Sequence, residues 1–292
     1  VPSLTNPNNM SIITGAPPSI HGISGNYFVD PETGIEVMMN DPKFLRSETL
    51  LAQFSQKGAK VVAITAKDKL RKMLGKNLNI AGGSINFASE TANQCTLDRN
   101  GIKEVEELVG LPLPDVYSAD LTIFALEAAV KILERDTPDI MYISTTDYIQ
   151  HKHAPDSPDI KHLYAKMDSA FGRMANLGAV IGITADHGMN DKSKADGTPN
   201  VIFIQDKLDR HFGAKTTKVI LPITDPYVVH HGSLGGFVRI YCTARVTPEE
   251  ITQFTKSLPG VEAVYDKQSV CSIFDLPMDR EGDVVVISDA DT

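Results

Sequence analysis

Four runs of strand length, AKVVAIT (59–65), DIMYIST (139–145), GAVIGIT (178–184) and DVVVIS (283–288), are apolar at consecutive positions rather than at alternate ones. They are short and rich in β-branched residues, which suits strands buried on both faces of a parallel sheet. Around them lie SETLLAQFSQKG (47–58), ADLTIFALEAAVKILERD (119–136) and SPDIKHLYAKMDSAFGRMANLG (157–178), with apolar residues at i, i+3 and i+4. That spacing predicts amphipathic helices, the last two opening on caps at Asp120 and Ser157. Strand and helix in alternation predict an α/β class, a mostly parallel sheet covered by helices.

The texture changes between 191 and 275. NVIFI (200–204), TTKVILPIT (216–224), FVRIYC (237–242) and VEAVYD (261–266) alternate more loosely, and TPEEITQFTKSL (247–258) reads as a helix. The expected organisation is therefore a catalytic α/β core over 1–190 and 276–292, with a smaller α+β lid inserted over 191–275. The last strand, DVVVIS, would return the chain to the core.

Composition narrows the partners. The chain has 292 residues, 42% of them hydrophobic, enough for a large buried core. A formal charge of −9 and the lack of any Lys/Arg block argue against nucleic acid, whose backbone needs a basic stripe. No apolar stretch reaches the ~18 residues of a membrane span. Cys95, Cys242 and Cys271 are odd in number and share no spacing motif, so they read as buried small hydrophobes in a reducing, cytoplasmic compartment. The chain begins VPSLTNPNN without Met and ends VVISDADT just after a strand, as if trimmed at both ends. Oligomeric state is left open, with a homodimer as the candidate.

Three polar clusters carry the candidate chemistry. In STTDYIQHKH (144–153), Asp147 and His151 are four residues apart and share a face on a helical turn. This is half of a zinc site or an ordinary hydrogen-bonded pair. In VIGITADHGMN (180–190), Asp186, His187 and Gly188 follow an apolar run. The carboxyl ends of strands are where open α/β sheets bind ligands. In SLTNPNNMSIITG (3–15), proline near the first turn and Gly15 after the last residue punctuate a helix, with Thr5 at or just before its N-terminus. The Thr5 hydroxyl is either a plain cap or a group placed where the helix end favours a phosphate.

The order Thr5, Asp147 with His151, then Asp186-His187-Gly188 resembles the alkaline phosphatase superfamily in its nucleotide pyrophosphatase/phosphodiesterase-like branch. PSLTNPNNMSIITG, HGISGNYF, STTDYIQHKHAP and TADHGMNDK carry the likeness, which within the branch is to the phosphonoacetate hydrolases. The resemblance implies an alkaline-phosphatase-like fold and two zinc ions. Asp147 and His151 would bind one; Asp186 and His187 would bind the other, with Thr5 as ligand and nucleophile. Asn26, in HGISGNYF, matches a donor to a phosphoryl oxygen. Lys67 and Lys69, after AKVVAIT, match a pair that captures the substrate carboxylate, and His151 also counts among the substrate contacts. The implied reaction is hydrolysis of the C–P bond of phosphonoacetate, a small phosphonate, to acetate and phosphate. A phosphodiesterase or nucleotide pyrophosphatase, or an inactive phosphonate-binding relative, are the rival readings. The sequence lacks the superfamily's further Asp ahead of the nucleophile, and no His follows His231. His230 and His231, in the expected lid, are candidates to reach the metals.

Overall fold

The computed structural model describes residues 3–223, 235–243 and 245–292, which leaves His230 and His231 outside the described residues. The chain forms two compact units, one made of residues 1–47 with 186–292 and the other of residues 48–185.

The first unit begins with α1 (Thr5–Thr14), which stops at Gly15 because only glycine readily takes the left-handed φ of 64° found there. After α2 (Pro18–His21) comes an antiparallel hairpin, β1 (Tyr27–Val29) and β2 (Glu36–Met38). His21 is buried: its Nδ1 accepts the Ile23 N–H at 3.1 Å, and its Nε2 lies 3.0 Å from Ser11 Oγ. With Nδ1 an acceptor, the ring is neutral and Nε2–H donates to the serine. Burial pushes the His21 pKa down to about 4.

The second unit holds α3 (Leu50–Gln56), β3 (Val61–Thr65), α4 (Asp68–Leu74), β4 (Ile85–Ala88), α5 (Leu97–Asn100), α6 (Val105–Val109), α7 (Asp120–Asp136), β5 (Ile140–Ser144) and α8 (Pro158–Asn176). Its sheet runs β4-β3-β5, all parallel, with Val62 opposite both Ile85 and Met141. Val62, Ile64, Ile85 and Phe87 pack with Phe124, Ala128 and Ile132 of α7 and Met174 of α8. Every residue of the central strand β3 is buried, as its unbroken apolar run requires. Ser157 caps α8 by accepting the Ile160 N–H. Asp120 instead occupies the first helical position of α7, after Ala119, and makes no side-chain cap bond. Its charge still lies at the positive end of the helix.

Returning to the first unit, the chain adds α9 (Ile204–Phe212), β6 (Thr217–Ile220), β7 (Phe237–Cys242), α10 (Pro248–Lys256), β8 (Val261–Asp266), α11 (Lys267–Phe274) and β9 (Val284–Ser288). These strands form an antiparallel sheet in the order β6-β7-β9-β8. The capping box of Thr247 and Glu250 starts α10.

Three expectations meet a different outcome. The run DVVVIS forms β9 inside this antiparallel sheet, between β7 and β8, rather than joining a parallel one. Val284 and Val286 pack on one face with Ile204, Leu208 and Ile251, while Val285 and Ile287 pack on the other with Val270 and Cys271. A strand covered on both faces is apolar throughout, whatever the direction of its neighbours. The run GAVIGIT forms no strand: no described strand is hydrogen-bonded to it, and Val180 and Ile183 are exposed. NVIFI is not a strand either, because Ile204 opens α9 and pairs with Leu208 at i+4 on its buried side.

Arg239 of β7 is fully buried with Glu281, its Nε 2.6 Å from Glu281 Oε1. The guanidinium also donates to Tyr27 O at 3.0 Å and to Ser24 O and Oγ at 2.9 and 3.0 Å. Removing one member of a buried pair leaves the other charge uncompensated. Glu281→Ala is therefore expected to lower unfolding free energy by about 3–5 kcal/mol, read from urea transitions of the parent and variant. The depressed pKa of His21 has its own signature. The unfolded chain binds a proton near pH 6.5 that the folded chain refuses until about pH 4, so this contribution to stability is present above 6.5 and lost as pH falls towards 4. Unfolding measured between those values should show a slope about 1.4 kcal/mol per pH unit smaller in His21→Gln than in the parent.

Candidate active site

The side chains of interest lie in two groups, one in each unit. In the first, Thr5 is the opening residue of α1, and Leu4, not Thr5, takes the cap position. The threonine hydroxyl is thus not spent on capping its own helix. It lies instead 3.2 Å from His187 Nε2, joining residues 182 positions apart. His187 Nδ1 lies 3.1 Å from Gly188 O, which places the proton on Nδ1 and turns the Nε2 lone pair towards Thr5. Asp186 Oδ2 is 3.9 Å from the same Nε2. His187 is mostly buried, with 14% of its side chain exposed, against 31% for Asp186.

What positions Asp186 and His187 is α1 rather than the end of a strand, since residues 180–184 pair with nothing described. Asn9 donates to Asp186 Oδ2 at 3.3 Å and to Thr5 O at 2.9 Å, and Asn8 donates to the Asp186 carbonyl. Asn6 donates to Asn26 Oδ1 at 2.9 Å, so the amide of Asn26 presents its NH2 end, which reaches Ile223 O at 3.2 Å. These asparagines were legible only as the polar residues of TNPNNM; their spacing around one helical turn was the available signal. Asn26 itself sits after Gly25, where a Cβ would stand 2.7 Å from Pro222 Cβ. Glycine is what lets this turn lie against Pro222.

In the second unit, Asp147 and His151 do share one helical turn. His151 N–H bonds to Asp147 O at 3.0 Å, and the two side chains meet at 3.0 Å through Oδ2 and Nε2. The segment before them is held on α7 by the buried Thr122, whose hydroxyl accepts from Thr146 N at 3.1 Å and donates to Thr146 O at 3.2 Å. His153 turns elsewhere, 3.6 Å from Asp159. Lys67 and Lys69 follow β3, and Asp147 follows β5, so all three lie past the carboxyl ends of adjacent parallel strands. Lys67 Nζ bonds to Val116 O at 3.0 Å and lies 5.2 Å from the centre of the Tyr117 ring. The ring of Tyr117 stands 6.3 Å from that of Tyr148.

These donors suit zinc in kind. Imidazole nitrogen, carboxylate and hydroxyl oxygen converge at His187, Asp186 and Thr5, and the Nδ1–H of His187 is held by a backbone carbonyl, as in ligating histidines. Among the described residues no three His, Cys, Asp or Glu side chains converge, so each centre supplies only a pair of such residues. Burial raises the thiols of Cys95, Cys242 and Cys271 to about 11.

Two crystal structures of phosphonoacetate hydrolase from Sinorhizobium meliloti 1021 are similar to this chain, one in complex with phosphonoformate and one with phosphonoacetate. The first is 49% identical and the second 48%, each with a TM-score of 0.96 over 100% of this chain and 71% of that one. Human ectonucleotide pyrophosphatase / phosphodiesterase 5 shares the fold, at a TM-score of 0.60 over 99% of this chain and 68% of that one, with 16% identity. An uncharacterized pyrophosphatase/phosphodiesterase of Schizosaccharomyces pombe is 25% identical over 202 residues, 64% of this chain and 36% of that protein. The aligned stretch thus spans about a third of that curated relative. The model of one family, type I phosphodiesterase / nucleotide pyrophosphatase, matches residues 1–292. With fold and sequence in agreement over its whole length, the chain belongs to the type I phosphodiesterase / nucleotide pyrophosphatase family, with an alkaline-phosphatase-like fold.

Proposed function

We propose that this chain is a zinc-dependent hydrolase that cleaves the C–P bond of phosphonoacetate through a threonine nucleophile. The observation that carries the reading is Thr5 itself. It stands first in α1, free of a capping duty, with its hydroxyl against the Nε2 lone pair of His187. The similarity to hydrolases crystallised with phosphonoacetate and phosphonoformate supports the choice of substrate.

Asp186, His187 and Thr5 would hold one zinc ion, and Asp147 with His151 the other. When bound, such ions lower the pKa of a hydroxyl and offset charge on phosphoryl oxygens. Thr5 gives up its hydroxyl proton to solvent water, and Oγ1 attacks phosphorus in line, forming the O–P bond as the C–P bond breaks. The bonding pair of C–P moves to the methylene carbon and is delocalised into the carboxylate as an enediolate. Lys67 and Lys69 bind that carboxylate and favour the charge developing on it. A proton taken from water at the methylene carbon gives acetate. Asn26 donates its amide N–H to a phosphoryl oxygen, and water then hydrolyses the phosphothreonine to free the enzyme and phosphate.

A phosphodiester substrate is the second reading, favoured by the Tyr117–Tyr148 pair, which could take a base or another planar group. Phosphate release from phosphonoacetate, with bis-p-nitrophenyl phosphate in parallel, separates the two. The zinc-loaded parent is expected to turn over phosphonoacetate, and Thr5→Ala to lose at least about 1,000-fold in kcat because the nucleophile is gone. Turnover of the diester alone would transfer the assignment to phosphodiesterase. Lys67→Ala and Lys69→Ala are each expected to lower kcat/KM for phosphonoacetate by about 10–100-fold while changing diester hydrolysis little, since only the phosphonate carries the carboxylate.

A further inference from the structure

The turn 24–27 places Asn26, and its two ends are tied to one side chain from a distant strand. Its backbone is held from outside by a charge. Arg239 reaches across with one Nη to the carbonyl of Tyr27 at 3.0 Å and with the other to the carbonyl and hydroxyl of Ser24 at 2.9 and 3.0 Å. Asn26 lies between those two anchor points. Behind them, Glu281 accepts the Arg239 Nε–H at 2.6 Å and the Gly282 N–H at 2.9 Å through the same oxygen. Both charged side chains have no exposed surface. A buried arginine presents its donors in a rigid planar fork, so the two carbonyls it engages are held at a set separation. Within that bracket the Asn26 N–H bonds to Pro222 O at 2.7 Å, and its carbonyl takes the Met39 N–H at 2.8 Å. Side-chain bonds to Asn6 and Ile223 then aim the amide.

A buried ion pair is a poor way to gain stability alone, because apolar residues of the same volume often do as well. Its geometry here has a specific product, a clamped turn bearing one amide. From it we infer that Arg239, held by Glu281, is a positioning residue for Asn26, acting on phosphoryl transfer without touching the substrate. The inference rests on the reading of Asn26 as a phosphoryl-oxygen donor.

A double-mutant cycle on the full-length, zinc-loaded protein tests it, with phosphonoacetate as the substrate. Arg239→Lys keeps the charge beside Glu281 but cannot bracket both carbonyls. It is expected to lower kcat about 10-fold with KM changed less than about 2-fold, and to cost nothing further in an Asn26→Ala background. The side-chain amide resonance of Asn26 should shift in Arg239→Lys without any turnover being required. If Arg239→Lys folds poorly by circular dichroism, Ser24→Ala enters the same cycle. It deletes one hydroxyl of the clamp and is expected to lower kcat about 2–3-fold, again only when Asn26 is present. The same loss in both backgrounds, or an unchanged kcat with an unmoved amide resonance, overturns the positioning and leaves the role of Asn26 intact. An Asn26→Ala variant as active as the parent overturns the role of Asn26 and the positioning with it.

Discussion

A full positive charge with no exposed surface sits inside the first unit, and the structure around it is shaped by the need to satisfy it. A guanidinium taken out of water obliges the fold to provide acceptors for its donors. It finds one carboxylate oxygen and three oxygens from Ser24 and Tyr27. Those acceptors come from the first 30 or so residues of the chain and from the segment just before β9. The same contact that satisfies the charge therefore joins the start of the chain to its last sheet. Arg280 repeats the device nearby, donating to the carbonyls of Gly22 and Phe44 while lying over the rings of Phe28 and Phe44.

The two units present their polar groups by different physics. In residues 48–185 the placement comes from a parallel sheet, whose strands all end at the same edge, so that the residues after β3 and after β5 share that edge. Lys67, Lys69 and Asp147 lie there because β3 and β5 pair in parallel, which brings the ends of two strands distant in the chain together. In the other unit no described strand has this role. Thr5, Asp186 and His187 meet because α1 carries asparagines on the side that faces residue 186, and these bind both the acid's carboxylate and its backbone. Buried amides are costly unless paired, which makes Asn6 and Asn9 precise but unforgiving positioners.

How far the sequence could be read depends on the same division. Helices 120–136 and 158–176 and strands 61–65 and 140–144 were legible because their periodicity reports burial of a face, and the helices bury one face and the strand β3 both. The turn of Asp147 and His151 was legible because four residues is one helical turn. Strand β4 and helices α9 and α11 were not, being short elements whose apolar residues are few and whose burial depends on partners distant in the chain. Asp120 misled because a residue suited to a cap is equally suited to the first turn.

By itself the sequence determined the elements and the types of chemical group available: a threonine at a helix start, two Asp–His pairs, a lysine pair after a strand and an asparagine in a glycine turn. Each of these depends on residues within a few positions of one another. Only the tertiary structure decided which sheet DVVVIS joins, since its pattern reports that both faces are covered and is silent about the direction of its neighbours. It alone brought His187 Nε2 to the Thr5 hydroxyl, Asn9 to Asp186, and Arg239 to the turn of Asn26. Those contacts bridge stretches of 177 to 215 residues, and no local periodicity encodes a partner so far along the chain.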